Sequence, residues 1–374
     1  MARQLDHGEA GPPGTGGALR RGWTTGACAT AATRAAYEGL LTGGFPDPVS
    51  IRLPGGARPS FPLSLAECLH DEARVGIVKD AGDDPDVTHG ALVLSTVRPA
   101  PHGSGLIFRA GTGVGTITRA GLPLAVGEPA INPGPRRMIE AALVEFTGKA
   151  TPPDLTITIA IPGGEALAAK TLNGRLGIVG GLSILGTTGI VIPYSCSSWI
   201  HSIHRGVDVA RAAGIAHIAA ATGSTSEAAV ARMHDLPEIA LIDMGDFAGG
   251  TLKYLRRHPI ARLTLAGGFG KLAKLASGHL DLHSARSRID IGWLADRLAE
   301  AGAPPASIAA ARRVEGAAEV LAIAEEAAPR CAGRLAELIA AQAREVAMAT
   351  LAGAVTVDVA VFDRAGALIG HAGP

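Results

Sequence analysis

The chain has 374 residues, of which 47% are hydrophobic and 18% are charged, and its mean hydropathy is +0.26. This balance indicates a folded protein large enough for two domains rather than a disordered one. The 34 basic and 34 acidic side chains cancel, and only 3% of the residues are aromatic. Because neither a charged field nor a stacking surface is present, we expect no nucleic-acid partner and no membrane partner.

The N-terminal residues 1–19 contain neither a basic cluster nor an apolar stretch, so we expect a disordered tail rather than a signal peptide or an anchor. The cysteines, at positions 28, 68, 196 and 331, are too far apart in sequence for a CxxC pair or a zinc knuckle. We therefore expect a soluble, cytoplasmic protein with reduced thiols and no protein-bound metal.

Short β segments with interspersed helices and many turns make up residues 20–195, which predicts an α+β domain. Thr24 or Thr25 can cap a first helix. A second helix is predicted to begin near Pro135, since proline is favoured at the first helical position. Strands are predicted at residues 49–53, 74–79, 91–98, 105–109 and 155–161.

Strands and helices alternate over residues 196–374, which predicts an α/β domain with a mainly parallel sheet. Strands are predicted at residues 215–222, 239–244, 262–268 and 355–363. The helix after the first of them is predicted to open with a capping box formed by Ser224 and Glu227. The alanine-rich stretch 290–350 predicts about three helices.

An aspartate-rich loop, DAGDDPDVTHG, occupies residues 80–90 and places Asp80, Asp83, Asp84 and Asp86 in one turn before His89. Mutual repulsion is expected to raise the pKa of at least one carboxyl, and the histidine could complete an acid/base pair. The spacing lacks the glycine and the terminal glutamate of a calcium loop. We predict as catalytic residues Asp80, Asp83, Asp84 and His89. The alternative is a turn whose carboxylates only accept hydrogen bonds from backbone N–H groups.

A glycine-rich string, GTGVGTITRAGL, follows at residues 111–122. Its glycines do not match GxGxxG, which argues against a dinucleotide-binding fingerprint. Alternating glycines can still let main-chain N–H groups approach an anion. A glycine-rich hairpin is the alternative.

Paired arginines, Arg136 and Arg137, lie in the string GEPAINPGPRRMI at residues 127–139. We expect them in the first turn of a helix, where the macrodipole disfavours cations, so their presence indicates an external anion. Guanidinium groups and the helix N–H groups would bind that anion together. Arg109 and Arg119 could add to the anion site, and a solvated arginine pair is the alternative.

Two further loops, at residues 180–191 and 221–227, offer backbone N–H groups. The second leaves a strand and enters a helix, and Asp243 follows Gly223 by twenty residues, a position from which an acid can bind a ribose diol. An ordinary strand–helix turn is the alternative. We predict a cofactor site at Gly186, Thr187, Thr188, Gly189, Thr222, Gly223, Ser224 and Asp243.

Taken together, these strings resemble the CbiD family, the cobalt-precorrin-5B C1-methyltransferase family of cobalamin biosynthesis. The resemblance also includes RRGWTTGACATAA at 20–32, KTLNGRLGIVGGLSILGTTGIVIP at 170–193 and GGFGKLAKLASGHLDLHS at 267–284. It implies a CbiD-like two-domain architecture, distinct from the usual tetrapyrrole methylase fold. It also implies that a methyl group is transferred from S-adenosylmethionine to ring carbon 1 of cobalt-precorrin-5B, giving cobalt-precorrin-6A.

The implied substrate is a polycarboxylated corrinoid, which agrees with local arginines in a chain of zero net charge. Residue type and the matching strings together imply substrate contacts at Thr24, Thr25, Arg109, Arg119, Glu128, Asn132, Arg136 and Arg137. Two rival functions stay open. One is an NAD-dependent oxidoreductase, supported by the strand–helix units and Asp243, and the other is a non-catalytic corrinoid-binding pathway protein. Assembly into a homo-oligomer is left open too.

Overall fold

The computed structural model describes residues 19–328, 330–353 and 355–374. The predicted tail therefore lies almost entirely outside the described residues. The chain divides into two compact units, with the boundary between Cys196 and Ser197. Each unit has its own hydrophobic core.

The first unit mixes short strands with three helices in its described part. In chain order these elements are β1 (Gly22–Trp23), α1 (Thr25–Thr42), β2 (Val49–Ser50), β3 (Ser60–Phe61), β4 (Leu65–Leu69), β5 (Glu72–Val78), β6 (Leu92–Pro99), β7 (Leu106–Ala110), β8 (Gly113–Val114), β9 (Thr116–Ile117), α2 (Pro133–Thr147), β10 (Leu155–Ala160), α3 (Gly164–Ala168), β11 (Ile178–Val179), β12 (Gly181–Leu182) and β13 (Ile190–Val191).

A five-stranded sheet with the order β4-β5-β6-β10-β7 is the centre of this unit. Its neighbouring strands run antiparallel except for β10 and β7. The face that carries Val75, Val97 and Ile157 packs in one core with α1 and α2. All five strands predicted for this region are present, with ends that differ by up to three residues.

Helix α1 begins where its sequence predicts. Thr24 is the N-cap, in an extended conformation, and its hydroxyl accepts a hydrogen bond from Ala27 N at 3.1 Å. Gly43 ends the helix in the left-handed region at φ +76°, the usual place for glycine after a helix. A Cβ atom on Gly26 would lie 2.8 Å from the ring of Pro135, so this glycine allows α1 to approach the start of α2.

The second unit alternates helices and strands. Its elements are α4 (Cys196–Ala212), β14 (His217–Ala221), α5 (Ser224–His234), β15 (Leu241–Asp243), α6 (Ala248–Arg257), β16 (Arg262–Gly268), α7 (Phe269–Ala276), α8 (Ile291–Glu300), α9 (Pro305–Ala311), α10 (Ala317–Ala327), α11 (Cys331–Leu351), β17 (Thr356–Phe362) and β18 (Leu368–Ala372).

These strands form one sheet with the order β15-β14-β16-β17-β18. The first four strands are parallel, and β18 pairs antiparallel with β17. The predicted mainly parallel sheet is therefore confirmed. The predicted strand at residues 355–363 is present as β17, and the turn at Asp363 leads into β18, which was not predicted from the sequence. No helix among the described residues is long and apolar enough to cross a membrane.

Two predictions for the helices of this unit are wrong. The described part of the stretch 290–350 holds four helices rather than about three, since Pro304 and Gly316 begin new helices at the N-cap position. The capping box at α5 does not form. Gly223 is the N-cap, and Ser226 instead donates its hydroxyl proton to Gly223 O at 2.8 Å.

Candidate functional site

Asp80 and Arg20 form an ion pair at the surface of the aspartate-rich loop. Arg20 Nη2 lies 2.9 Å from Asp80 Oδ1, and the same oxygen accepts a hydrogen bond from Gly82 N. The hydrogen bond from Arg20, followed by that from Gly82, lowers the pKa of Asp80 to about 2. Asp80 is therefore an ionised carboxylate at neutral pH.

The other three aspartates of the loop also accept backbone hydrogen bonds. Asp83 accepts from Arg20 N at 2.6 Å. Asp84 accepts from Tyr194 N at 2.8 Å, and Asp86 accepts from Thr88 N at 2.7 Å. This is the arrangement of the alternative interpretation, in which the carboxylates organise the turn.

The pKa of both Asp80 and Asp86 is lowered, opposite to the increase that mutual repulsion predicted. Burial acts to raise the pKa of Asp86, but hydrogen bonds from Lys79 and Thr88 outweigh it. The sequence argument failed because it counted neighbouring negative charges and left out Arg20 and Lys79, which supply positive charge to the loop.

His89 is an exposed member of this loop, with 54% of its side chain accessible. Its Nδ1 atom accepts a hydrogen bond from Ala81 N at 3.1 Å. A neutral His89 therefore carries its proton on Nε2. No hydrogen bond within residues 19–328, 330–353 and 355–374 uses Nε2, so this N–H group can serve a ligand as a donor.

The loop at residues 185–189 lies against the start of α1. Thr25 Oγ1 accepts a hydrogen bond from Leu185 N at 3.1 Å, and Gly26 N donates to Leu185 O at 3.0 Å. Thr24 N donates to Gly189 O at 3.0 Å. The predicted substrate residues Thr24 and Thr25 are thus next to the predicted cofactor loop, but their polar groups serve largely to hold that loop.

The start of α2 joins the same cluster. Asn132 N donates to Ile184 O at 3.0 Å, and a Cβ atom on Gly134 would lie 2.9 Å from Gly186 O. From the sequence we expected the N–H groups of this helix to bind an anion. Pro133 and Pro135 occupy its first turn and have no N–H, so few donors remain.

The Arg136 guanidinium is hydrogen-bonded within the protein rather than left unpaired for an anion. Its Nε atom donates to Ile131 O at 2.8 Å, and Nη2 donates to Glu128 Oε2 at 2.7 Å. The guanidinium also lies over the Phe108 ring, 5.1 Å from its centroid. Since α2 begins at Pro133, Arg136 is its fourth residue, at the end of the first turn, and Arg137 lies just beyond that turn.

Arg137 is exposed, and among the described residues it has no hydrogen bond or ion pair. It borders a shallow cavity of about 340 Å³ whose wall includes Leu106, Phe108, Pro133, Arg136, Glu140 and Pro152. The wall thus combines apolar side chains with Arg136 and Glu140, and the Arg137 guanidinium is the group there that suits a carboxylate carried on a hydrocarbon arm.

Arg109 and Arg119 do not join the paired arginines. Arg109 follows Phe108 on β7, so its side chain leaves the opposite face of the sheet. Arg119 donates from Nη1 to Arg175 O at 3.2 Å and lies against Gly177. Arg109 and Arg119, which were predicted to add to the anion site of the paired arginines, therefore lie apart from that pair.

The glycine-rich string is explained by close packing of backbone on backbone. Gly113 has φ +73°, and a Cβ atom there would lie 1.9 Å from Ile161 O. Gly115 N donates to Leu182 O at 2.9 Å, and Gly111 N donates to Ile159 O at 2.8 Å. These N–H groups are used inside the fold, and β8 pairs with the distant β12 instead of forming a hairpin.

In the second unit, β14 and β16 are neighbours in the sheet. The strand that follows β14 in the chain, β15, lies on the outer side of β14, and the strand that follows β16, β17, lies on the other side of β16. Ligands of open parallel sheets bind outside the carboxyl ends of strands at such a switch point. Thr222 follows β14, and Gly267 lies against it at the end of β16, where a Cβ atom on the glycine would lie 2.8 Å from Thr222 Oγ1. Asp243 pairs in register with Ala221, so it stands at the same edge.

The predicted cofactor residues fall into two separate groups. Gly186, Thr187, Thr188 and Gly189 belong to the first unit, and Thr222, Gly223, Ser224 and Asp243 belong to the second. Only the second group lies at the carboxyl ends of parallel strands, the position at which such sheets bind nucleotides. Sequence reasoning missed Lys79, although a lysine directly after the apolar run VGIV at residues 75–78 was a signal for a buried ion pair.

An open, mainly parallel sheet with a topological switch point, together with a separate glycine-rich unit, defines a two-unit protein of mixed helices and strands, and sheets of this kind bind small ligands at their strand ends. A sequence model described as CbiD matches residues 14–193, and one described as CbiD, C-terminal domain, matches residues 281–373.

Two curated relatives match nearly the whole chain. A protein of a Bradyrhizobium species is 60% identical over 355 residues, covering 94% of this chain and 93% of the relative. One from Paramagnetospirillum magneticum is 58% identical over 357 residues, covering 95% and 98%. Both are named cobalt-precorrin-5B C(1)-methyltransferase. The chain belongs to the CbiD family.

A crystal structure of the cobalamin biosynthesis protein cbiD from Archaeoglobus fulgidus is 28% identical in sequence to this chain. It has a TM-score of 0.38, with 72% of this chain and 83% of that chain covered.

Proposed function

We propose that this chain transfers a methyl group from S-adenosylmethionine to ring carbon 1 of cobalt-precorrin-5B, giving cobalt-precorrin-6A. The observation that carries the proposal is the 60% identity to a relative of that name over 94% of the chain. The reaction makes the protein a C-methyltransferase of cobalamin biosynthesis.

The methyl donor is assigned to the carboxyl edge of the second unit's sheet. S-adenosylmethionine supplies an electrophilic methyl group on a sulfonium when bound. Thr222, Gly223 and Ser224 lead from β14 into α5, whose N-cap residue Gly223 has no side chain, and the backbone N–H groups of a helix start suit a carboxylate or ribose oxygen. Asp243, one strand away, is positioned for a ribose diol.

The corrinoid is assigned to the first unit. Arg137 is the strongest candidate for an acetate or propionate arm, because its unpaired guanidinium borders a cavity whose wall includes Leu106 and Phe108. Thr187 and Thr188 are exposed in the loop beside α1. Arg136 and Glu128 are assigned a structural role, because their hydrogen bonds hold the segment before α2 in place.

His89 is assigned an orienting role rather than that of a general base. Its Nδ1 atom is occupied by Ala81 N, so the neutral ring offers Nε2–H, a donor suited to a carboxylate or carbonyl of the ring periphery. Transfer of a methyl group to carbon needs the reactants at contact distance with water excluded. Asp80, Asp83 and Asp84 then serve by shaping the loop that carries His89.

The remaining parts of the proposal concern architecture and location. We infer domains at residues 20–195 and 196–374 in a CbiD-like arrangement distinct from the usual tetrapyrrole methylase fold. All four cysteines are free, which suits a reducing compartment, and we propose a cytoplasmic enzyme.

A labelled-methyl assay tests the function directly. Incubation with methyl-labelled S-adenosylmethionine and cobalt-precorrin-5B should give a labelled corrinoid whose label is at ring carbon 1. Binding of the corrinoid without label transfer would favour a non-catalytic carrier. A thermal shift caused by NAD but not by S-adenosylhomocysteine would favour the oxidoreductase.

A further inference from the structure

Asp358 is the centre of a polar cluster within the sheet of the second unit. It lies on β17 with no exposed surface. Its Oδ1 atom accepts a hydrogen bond from Arg262 Nε at 2.9 Å, and its Oδ2 atom accepts one from Thr264 Oγ1 at 2.7 Å. The single negative charge is therefore already matched by a guanidinium on β16.

Three histidines from three further elements surround this pair. His234, at the last turn of α5, has Nε2 3.4 Å from Asp358 Oδ2, and His371 on β18 has Nε2 3.8 Å from the same oxygen. His217 on β14 has Nε2 2.8 Å from Thr264 Oγ1, and its ring centroid is 4.8 Å from that of His234. His234 Nε2 is buried without a hydrogen bond.

No group of three or more His, Cys, Asp or Glu side chains in the described ranges is arranged to hold a metal ion, so the cluster is better understood by its protons. Burial lowers the pKa of His217 to about 4, and Arg262 and His234 add to this effect. Burial, Arg262 and His371 likewise lower the pKa of His234, although Asp358 opposes them.

The helix above the cluster is weakly held. The face of the sheet beneath α5 is lined mainly by alanines, among them Ala219, Ala266 and Ala360, and the helix adds Ala229 and Val230. Small side chains bury little apolar area, so local opening of such a short element requires less free energy than global unfolding. His234 joins this thin layer to the polar cluster.

The direction of the proton effect follows from these contacts. Histidines that are neutral in the closed structure titrate at about 6.5 once exposed, so the open form binds more protons as the pH falls below that value. Each proton taken up in the closed form would add positive charge beside Arg262, which already matches Asp358. Acid therefore favours the open form.

We propose that His217, His234 and Asp358 make the packing of α5 against the sheet depend on pH, so that acidification opens this helix locally. Because α5 begins at the loop assigned to the methyl donor, opening withdraws that loop, and this consequence rests on the proposed function. The cluster thus couples the donor loop to pH from the opposite end of the helix.

Hydrogen exchange of the amides of residues 224–234 in the full chain, at pH 7.5 and pH 5.5, tests the proposal. After correction for the intrinsic exchange rate, the opening constant should rise about tenfold, the change expected from one histidine whose pKa moves from about 4 to 6.5 on opening. The same rise should be seen in His201→Gln, which removes an exposed histidine of α4 outside the cluster.

In a His217→Gln and His234→Gln double variant, the rise should shrink to less than about twofold, whatever the absolute stability of the variant. An unchanged pH effect in that variant, or no pH effect in the unmodified chain, would overturn the proposal. S-adenosylhomocysteine separates this inference from the function. If the ligand protects α5 from exchange but no pH effect is seen, the donor site is supported and the pH-dependent opening is overturned. If the pH effect is seen but the ligand gives no protection, the pH-dependent opening is supported and the donor site is contradicted.

Discussion

Lys79 and Asp86 form an ion pair that closes the base of the aspartate-rich loop. Lys79 Nζ lies 2.6 Å from Asp86 Oδ2, and only 1% of the lysine side chain is exposed. The backbone of Lys79 bonds to Ala91 O and Gly90 N on the other side of the loop. The buried charge and the paired backbone therefore fix both ends of the segment that carries His89.

Replacing Lys79 by methionine should lower the free energy of unfolding by about 3 kcal/mol, because the variant leaves a partly buried carboxylate without its cation. Urea denaturation would measure this loss. Arg58→Met is the matched control, since Arg58 pairs with Glu145 at an exposed position and its removal should change stability by less than about 1 kcal/mol. Equal losses in the two variants would contradict a special role for the buried pair.

The ion pair between Arg20 and Asp80 should be visible in acid titration. Because the pKa of Asp80 is lowered to about 2 in the folded chain from an ordinary 3.8, the pair contributes stability above pH 3.8. This contribution is lost as the pH falls through about 2. In Arg20→Met the pKa of Asp80 should rise toward its ordinary value, as followed by the carboxyl carbon resonance in NMR. An unmoved resonance midpoint would show that Gly82 N alone sets the pKa.

Arg136 and Arg137 should respond differently to substitution, although they are neighbours in sequence. Arg136→Met removes hydrogen bonds to Ile131 O and Glu128, so we expect a loss of about 2 kcal/mol of unfolding free energy. Arg137→Met should change stability by less than about 0.5 kcal/mol and raise KM for the corrinoid about tenfold. Denaturation and steady-state kinetics on both variants check this, and a raised KM with Arg136→Met alone would reverse the assignment.

Gly113 should tolerate substitution far less than Gly127. Both have positive φ, at +73° and +90°, but a Cβ atom at Gly113 meets Ile161 O and one at Gly127 meets nothing within 4 Å. Gly127→Ala should lower stability by about 1 kcal/mol from backbone strain alone. Gly113→Ala should lose at least about 3 kcal/mol, since a backbone oxygen must move. Similar thermal midpoints for the two variants would argue against backbone packing as the reason for the glycine-rich string.

Local sequence signals predicted the secondary-structure elements well, but they could not predict which partners the charged side chains have. Thr24 as a cap, and the strand at residues 262–268, were predicted correctly because each depends on neighbours in the chain. The expectation that repulsion raises the pKa of at least one carboxyl of the aspartate-rich loop left out Arg20, which lies sixty residues from Asp80 and was invisible to a local argument. Arg136 was interpreted as an open ligand for the same reason, since its partners depend on how the segment before α2 turns back.

The amino-acid sequence by itself indicated the α+β pattern of the first part of the chain and the alternating α/β pattern of the second. Its long and rare strings also indicated the family. Hydrophobic periodicity and turn residues act over a few positions, and shared strings need no coordinates. Only the tertiary structure decided which charges meet. Salt bridges such as Arg20 with Asp80, and the gathering of three histidines around Asp358, join residues far apart in the chain, and their pKa values depend on distance and burial that no local pattern contains.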